Sequence, residues 1–312
     1  MSVKAKDKYI VLFSLLFVSL LLRTSNALAD TLLEKIESPY NTIFVYDEAP
    51  YITLAFGYKR RRYIESRRNP DDLTELPVEY TKSFTLALAY PKNLKSFLMI
   101  GMGGGSTSWY LHKSLPEAKV TAVELDGEII SLADKYYKVR KQKNFKISEM
   151  DGRVHILRNQ QRHDIIFIDA YRGPFVPFHL MTKEFFALAK KRLTKGGVIV
   201  QNIEPSTMLF DRAIATMNSV FENTDLYKAG GNIVAIGYDG PKIKKTELLS
   251  KATNRQATFN FRYPLPDLIK ERSTSLEVDK SSAPLTDDFA PVNMLKEIKT
   301  HNRKRSEREA KK

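Results

Sequence analysis

The chain has 312 residues, 43% of them hydrophobic, and a formal net charge of +14 from 50 Lys and Arg against 36 Asp and Glu. That length supports one large domain or two modest ones with a true core, and the charge permits an acidic partner. There is no cysteine, which excludes a disulfide framework, a thiolate zinc site and a cysteine nucleophile.

At the amino terminus, Lys4, Lys6 and Lys8 precede an apolar run from Tyr9 to Leu22, followed after Arg23 by Ser25-Asn26-Ala27-Leu28-Ala29-Asp30. A basic start, a short apolar run and an Ala-Leu-Ala site read as a signal peptide over residues 1–29, cleaved after Ala29. The run is shorter than the ~20 residues of a membrane span. The other reading is an uncleaved anchor that attaches the chain to a membrane through residues 9–22. With the lysines kept in the cytoplasm, both readings place the remainder outside it, exported or membrane-anchored.

Residues 30–93 read as a small β-rich cap. Thr42–Tyr46, Tyr51–Tyr58 and Arg62–Ser66 are strand-like, separated by turn residues at 47–50 and 59–61. Glu79 to Leu88 reads as a helix leading into the main domain, residues 94–295. There Phe97–Ile100 is a buried strand that runs into Gly101-Met102-Gly103-Gly104-Gly105-Ser106. A helix over Thr107–Lys113 and a second strand over Ala118–Val123, ending in Glu124, complete the unit. Strand, glycine turn, helix, strand and terminal acid ~20 residues on is the plan of a nucleoside-binding α/β domain. The alternative is a tight structural turn with no ligand. Two more acids sit at strand ends: Asp151 before Gly152, and Asp169 after Ile165–Ile168. In an open α/β sheet, ligands lie outside the carboxyl ends of the strands, so Glu124, Asp151 and Asp169 are expected to face one crevice.

The dinucleotide fingerprint wants a third glycine where this chain has Ser106, so NAD and FAD fit poorly. The loop followed by Val123-Glu124-Leu125-Asp126 fits an S-adenosylmethionine-type fold better. Further on, Thr182 is expected to cap a helix ending near Leu193, with Lys195-Gly196-Gly197 closing it. Val198–Gln201 is expected as a strand, Asp211–Phe221 as a helix and Asn232–Tyr238 as a final strand. The tail, 296–312, is rich in Lys, Arg and Glu without apolar periodicity and reads as solvated. Because much of the excess charge lies there and in Lys59–Arg62, no nucleic-acid partner is expected. His112, His155, His163, His179 and His301 are isolated from each other, so no metal site is expected.

Glu37-Ser38-Pro39-Tyr40, the cap, the glycine loop, Val123-Glu124-Leu125-Asp126, Asp151-Gly152 and Asp169-Ala170-Tyr171-Arg172-Gly173-Pro174 together resemble the spermidine synthase (polyamine aminopropyltransferase) family. The match runs roughly from Glu37 to Val292. It looks closest to a divergent spermidine synthase-like branch, to which Leu285–Val292 also belongs. The resemblance implies an α/β chain with a Rossmann-like class I methyltransferase fold and a small β-rich N-terminal domain. It implies a nucleoside site at Asn41, Gly101, Gly103, Gly105, Glu124, Asp151 and Gly152. Glu124 would take the ribose hydroxyls and Asp151 the adenine amine. Asn41, usually glutamine in the family, would contact the nucleoside. Asp169 would act catalytically on the attacking amine, with Tyr80 and Gln201 on the diamine side. The co-substrate would be decarboxylated S-adenosylmethionine or S-adenosylmethionine, with no permanently bound cofactor, and the partner a polyamine or other amine. A homodimer is left open. Because these nucleosides are made in the cytoplasm, the implied co-substrate conflicts with the exported location.

Two departures bear on activity. The family usually carries an aspartate where this chain has Gly104, and a second acid where it has Arg172. Diamines are dications near neutral pH, since amine pKa values lie near 10. A buried cation without a partner costs several kcal/mol, so such a pocket needs acids. Arg172 would instead suit an acidic substrate or the carboxylate of intact S-adenosylmethionine. Three readings therefore stand: aminopropyl transfer, methyl transfer by the same fold, and a nucleoside- or polyamine-binding protein without catalysis.

Overall fold

The computed structural model describes residues 30–58, 61–171, 176–207, 209–270, 272, 278–279 and 281–288. The expected signal or anchor segment, Arg172 and the basic tail lie outside the described residues. Among those described, no helix is long and apolar enough to cross a membrane.

Strands β1 (Thr31–Glu37), β2 (Thr42–Glu48), β3 (Tyr51–Tyr58) and β4 (Arg61–Arg68) form an antiparallel sheet in chain order. Its first strand was not expected, because β1 is an edge strand whose side chains are mostly exposed and carry no clean alternation. Helix α1 (Glu79–Phe84) follows and tightens into a 3-10 turn at Thr85–Ala89 rather than continuing as one helix.

The main unit then runs β5 (Ser96–Ile100), α2 (Ser106–Ser114), β6 (Lys119–Glu124), α3 (Gly127–Tyr137), β7 (Phe145–Glu149), α4 (Gly152–Arg158) and β8 (His163–Ile168). It continues with α5 (Lys183–Lys190), β9 (Leu193–Ile203), α6 (Phe210–Asn218), β10 (Asn223–Ala229), β11 (Asn232–Tyr238), α7 (Lys245–Phe259) and α8 (Leu265–Lys270). Seven strands form one sheet in the order β10-β11-β9-β8-β5-β6-β7. Strands β7, β6, β5, β8 and β9 are parallel, and β11 and β10 are antiparallel. This is the Rossmann-like methyltransferase fold, with its topological switch between β5 and β8.

Strand β8 is buried at every position and β5 at all but its first, as central parallel strands covered on both faces must be. Phe97, Met99, Phe167 and Val200 pack on one face with Ile43 and Leu54 of the four-stranded sheet, so that sheet shares a continuous apolar core with the main unit. Leu98, Ile100, Ile166 and Ile168 pack on the other face with Phe185 and Ile214. Each such side chain contributes ~1.5–3 kcal/mol through burial.

Two expectations fail in the carboxyl half. Thr182 does cap α5, its Oγ1 accepting from the Phe185 amide at 3.3 Å, but the helix stops at Lys190. Leu193 begins β9, and residues 195–197 lie inside that strand instead of closing a helix. The pairing edge offered by β8 outweighs the glycine stop signal there. Strand β10 and helices α7 and α8 went unread; α7 buries only Leu248 and Ala252, so its apolar stripe is thin.

Candidate functional site

The carboxyl ends of β5, β6 and β8 converge beside the glycine loop. Strand β5 ends at Ile100, and Gly101 turns away with φ +83°. A Cβ at Gly101 would lie 2.4 Å from the Asp169 carbonyl oxygen, so only glycine lets the loop pass the end of β8. The Asp169 amide in turn donates to the Ile100 carbonyl at 2.8 Å. Gly103 continues the loop, and Gly105, φ +79°, stands at the N-cap of α2.

Glu124 ends β6 with its carboxylate folded onto that loop. One oxygen accepts from the amides of Met102 at 3.1 Å and Gly103 at 3.0 Å, and the other from Leu125 at 2.8 Å and Asp126 at 3.2 Å. Burial raises its pKa, and the four amides oppose that rise. Asn41 sits in the β1–β2 turn, which docks through Ser38: its Oγ donates to Asp126, two residues beyond Glu124. The turn is held by the Ser38 amide donating to the Asn41 carbonyl at 2.9 Å. Asn41 thereby sits in the turn that abuts the strand bearing Glu124.

Asp151 is the N-cap of α4, accepting from the amides of Arg153 at 2.9 Å and Val154 at 3.0 Å. Its other oxygen accepts from His179 Nε2 at 2.8 Å. The His179 hydrogen bond lowers its pKa most; burial opposes that, and the two amides add to it. Gly152 lets the helix start against β5, since a Cβ there would lie 2.3 Å from Ile100 Cγ2. Arg153 pairs with Asp287, so the Leu285–Asp288 segment clamps the start of the same helix. The sequence reading assigned His179 no role; its partner lies on another element, a link that residue spacing does not signal.

Asp169 is the most chemically loaded residue. Its two oxygens accept from Asn202 Nδ2 at 3.1 Å and from the Tyr80 hydroxyl at 3.0 Å. Burial pushes its pKa up to about 6, with those two hydrogen bonds opposing. Burial and the neighbouring Asp169 hold the Tyr80 phenol far above its ordinary value, so it stays a donor. Tyr171, next along the loop, donates to the Asn202 carbonyl at 3.0 Å.

The structure sets Gln201 apart from Asp169. Alternation along β9 sends Gln201 to the face of Ile199 and Ile203, whereas Asn202 shares the face of Val198 and Val200. Gln201 is fully buried, and among the described residues its amide has no hydrogen-bond partner. The amide that meets Asp169 is Asn202.

Gly104 is explained by packing. A Cβ there would lie 1.8 Å from Tyr137 Cε2 and 2.6 Å from Ser66 Oγ. Tyr137 is buried, and its hydroxyl donates to the carbonyls of Ile52 at 3.0 Å and Ser66 at 3.1 Å, tying α3 to β3 and β4. The ring thus occupies the space a loop side chain would need.

A narrow cavity of ≈ 20 Å³, room for about one water, runs between β4 and the glycine loop. Glu65, Tyr80, Thr81, Met102 and Asp169 line it. A larger hollow of ≈ 480 Å³ lies beside α6 and β10 and contains none of the acids above. Among the described residues no group of His, Cys, Asp and Glu is placed to hold a metal ion.

This arrangement has known relatives. Residues 80–229 match the spermine/spermidine synthase domain family. A polyamine aminopropyltransferase of Vibrio vulnificus (strain CMCP6) is 28% identical over 285 residues, 85% of this chain and 92% of that protein. The solved spermidine synthase of Thermotoga maritima superposes with a TM-score of 0.63 at 18% identity, covering 79% of this chain and 84% of its own. Human methyltransferase-like protein 13, solved with SAH, superposes with a TM-score of 0.54 at 21% identity, covering 65% of this chain and 96% of its own. The two structures establish the fold, and the domain match and the long curated relative show what the chain is similar to, the spermine/spermidine synthases.

Proposed function

We propose that the protein transfers an aminopropyl group from decarboxylated S-adenosylmethionine to a polyamine acceptor. The observation that carries this reading is Asp169: a buried carboxylate at the end of β8, beside the glycine loop, held by Tyr80 and Asn202 and tuned to about 6. The acceptor nitrogen attacks the carbon next to the sulfonium. A C–N bond forms, the C–S bond breaks with its electron pair going to sulfur, and methylthioadenosine leaves. The proton shed by the amine goes to Asp169, whose tuning places it ionised yet basic enough near neutral pH. The protonated Tyr80 and the Asn202 amide fix the carboxylate's orientation. The remaining contribution is in-line positioning of the two substrates, which supplies much of the rate.

On the nucleoside side, Glu124 would accept the ribose hydroxyls, and Asp151, with His179, would border the adenine. Gly101, Gly103, Gly105 and Gly152 let backbone approach, and Asn41 would close the site from the β1–β2 turn. Export or anchoring through residues 1–29 is a further part of this reading, checked by determining whether the mature chain begins at Asp30.

The test is to supply the protein separately with decarboxylated S-adenosylmethionine plus putrescine and with S-adenosylmethionine plus a panel of methyl acceptors. Mass spectrometry of the nucleosides is expected to show methylthioadenosine in the first mixture. S-adenosylhomocysteine in the second, with nothing in the first, would overturn the assignment in favour of a methyltransferase.

A further inference from the structure

Strand β4 carries an irregularity where it passes the site. Its pairing with β3 steps from Leu54↔Ser66 to Ala55↔Ile64, leaving Glu65 without an opposite residue. A bulge of this kind re-aims the extra side chain. Here it faces the narrow cavity that Asp169 and Tyr80 also line. The Glu65 carbonyl oxygen lies 3.8 Å from the place of a Cβ on Gly103, and Ser66 abuts Gly104. Glu65 is therefore next to the point of the glycine loop where the resemblance leads one to expect an acid and the chain has none.

Its electrostatics are unbalanced. Glu65 Oε1 is sealed from solvent and has no hydrogen-bond partner among the described residues. Burial, and then the charges of Asp169 and Glu124, drive its pKa well up. Glu124 is answered by four amides, Asp151 by two amides and an imidazole, and Asp169 by an amide and a phenol. Glu65 alone of the four has a sealed, unanswered oxygen. A buried acid without a donor or cation is costly, and its position beside another acid makes a cation its natural complement.

We propose that Glu65 is the carboxylate that receives a primary alkylammonium group beside Asp169, in place of the acid that the glycine loop lacks at Gly104. This rests on the aminopropyl-transfer reading. The ammonium comes either from the propyl chain of the donor or from the acceptor amine; both present the same chemistry to Glu65. The exchange is sterically coherent. Tyr137 fills the space of a loop acid, and the bulge supplies a carboxylate from the facing sheet.

The test compares wild type with Glu65→Gln, which keeps shape and removes the charge, by calorimetry. Three probes are used: methylthioadenosine, which has no ammonium; decarboxylated S-adenosylmethionine, which carries one on the donor chain; and putrescine added to the methylthioadenosine complex. Glu65→Gln is expected to leave methylthioadenosine within twofold and to weaken at least one ammonium probe tenfold or more. The probe affected identifies the source. Glu65→Asp, which keeps the charge, is expected to retain more of that affinity than Glu65→Gln. A Glu65 that stays protonated and fills space would make Glu65→Gln silent on all three probes, which overturns the proposal. Equal loss for methylthioadenosine also overturns it, as does the reverse order of the two variants. Wild-type turnover is measured alongside. Turnover with a silent Glu65→Gln defeats this proposal alone. A wild type that binds methylthioadenosine but neither ammonium probe, and does not turn over, defeats the functional reading and this proposal with it.

Discussion

The two sides of the site are built on different principles. On the proposed nucleoside side, the acids are held in place by the protein itself: Glu124 by four backbone amides, Asp151 by two amides and His179. On the amine side, Asp169 has two donors, and Glu65 keeps a sealed oxygen with no partner among the described residues. Fixed dipoles hold the first pair ready for a neutral, hydrogen-bonding ligand. The second pair keeps proton affinity and negative potential in reserve, as an incoming amine requires. A site that orients one substrate and deprotonates another needs both kinds of environment within one crevice.

The sharpest way to break this comparison is Asp169→Asn. Turnover is expected to fall by about 10²–10⁴-fold, while methylthioadenosine affinity stays within a few-fold. A variant that turns over normally would remove Asp169 as the base. Next is Glu124→Gln, for which nucleoside affinity is expected to drop ~10–100-fold through loss of charged hydrogen bonds. Unchanged binding by calorimetry would refute the ribose role.

The pH profile separates the two sides without mutation. An Asp raised to about 6 is protonated below that pH and cannot accept the amine's proton. The ratio kcat/KM is therefore expected to decline about tenfold per unit on acidification below an inflection near 6, whereas methylthioadenosine binding shows no such inflection. A flat kcat/KM profile between pH 5 and 7 contradicts the assignment.

Gly104→Ala probes the packing that displaced the loop acid. Forcing a Cβ against Tyr137 is expected to cost ~1–3 kcal/mol in urea unfolding. Adding Tyr137→Ala should absorb most of that increment, because contacting residues couple. Additive costs would mean that the ring does not exclude the side chain. The smallest effect is expected from Tyr80→Phe. It removes one hydrogen bond that lowers the Asp169 pKa, so the acid-side inflection should move upward and turnover fall ~2–10-fold. A downward move would contradict the hydrogen bond.

The contrast also explains what the sequence discloses. The glycine loop and Glu124 are legible because Phe97 to Asp126 is one continuous strand–loop–helix–strand unit, and Glu124 follows the apolar run of β6 directly. The amine side is assembled from β4, α1, β8 and β9, whose mutual positions depend on long-range pairing. There, strand parity decides function. Gln201 and Asn202 are one residue apart, and one residue turns a side chain to the opposite face of the sheet, so only Asn202 meets Asp169. Glu65 was unreadable because nothing in Arg61–Arg68 marks where the bulge falls. Gly104 read as a departure bearing on activity; with Tyr137 packed against it, it is also a steric requirement of this chain's own packing.

The most direct test of the central claim is the stoichiometry of product formation. The purified chain from Asp30 onward would be given decarboxylated S-adenosylmethionine and a range of putrescine concentrations, with both products quantified by mass spectrometry. The account predicts methylthioadenosine that appears only with putrescine, saturates with it and matches spermidine one to one. Methylthioadenosine released at a rate independent of putrescine, or no product while the nucleoside still binds, would contradict it.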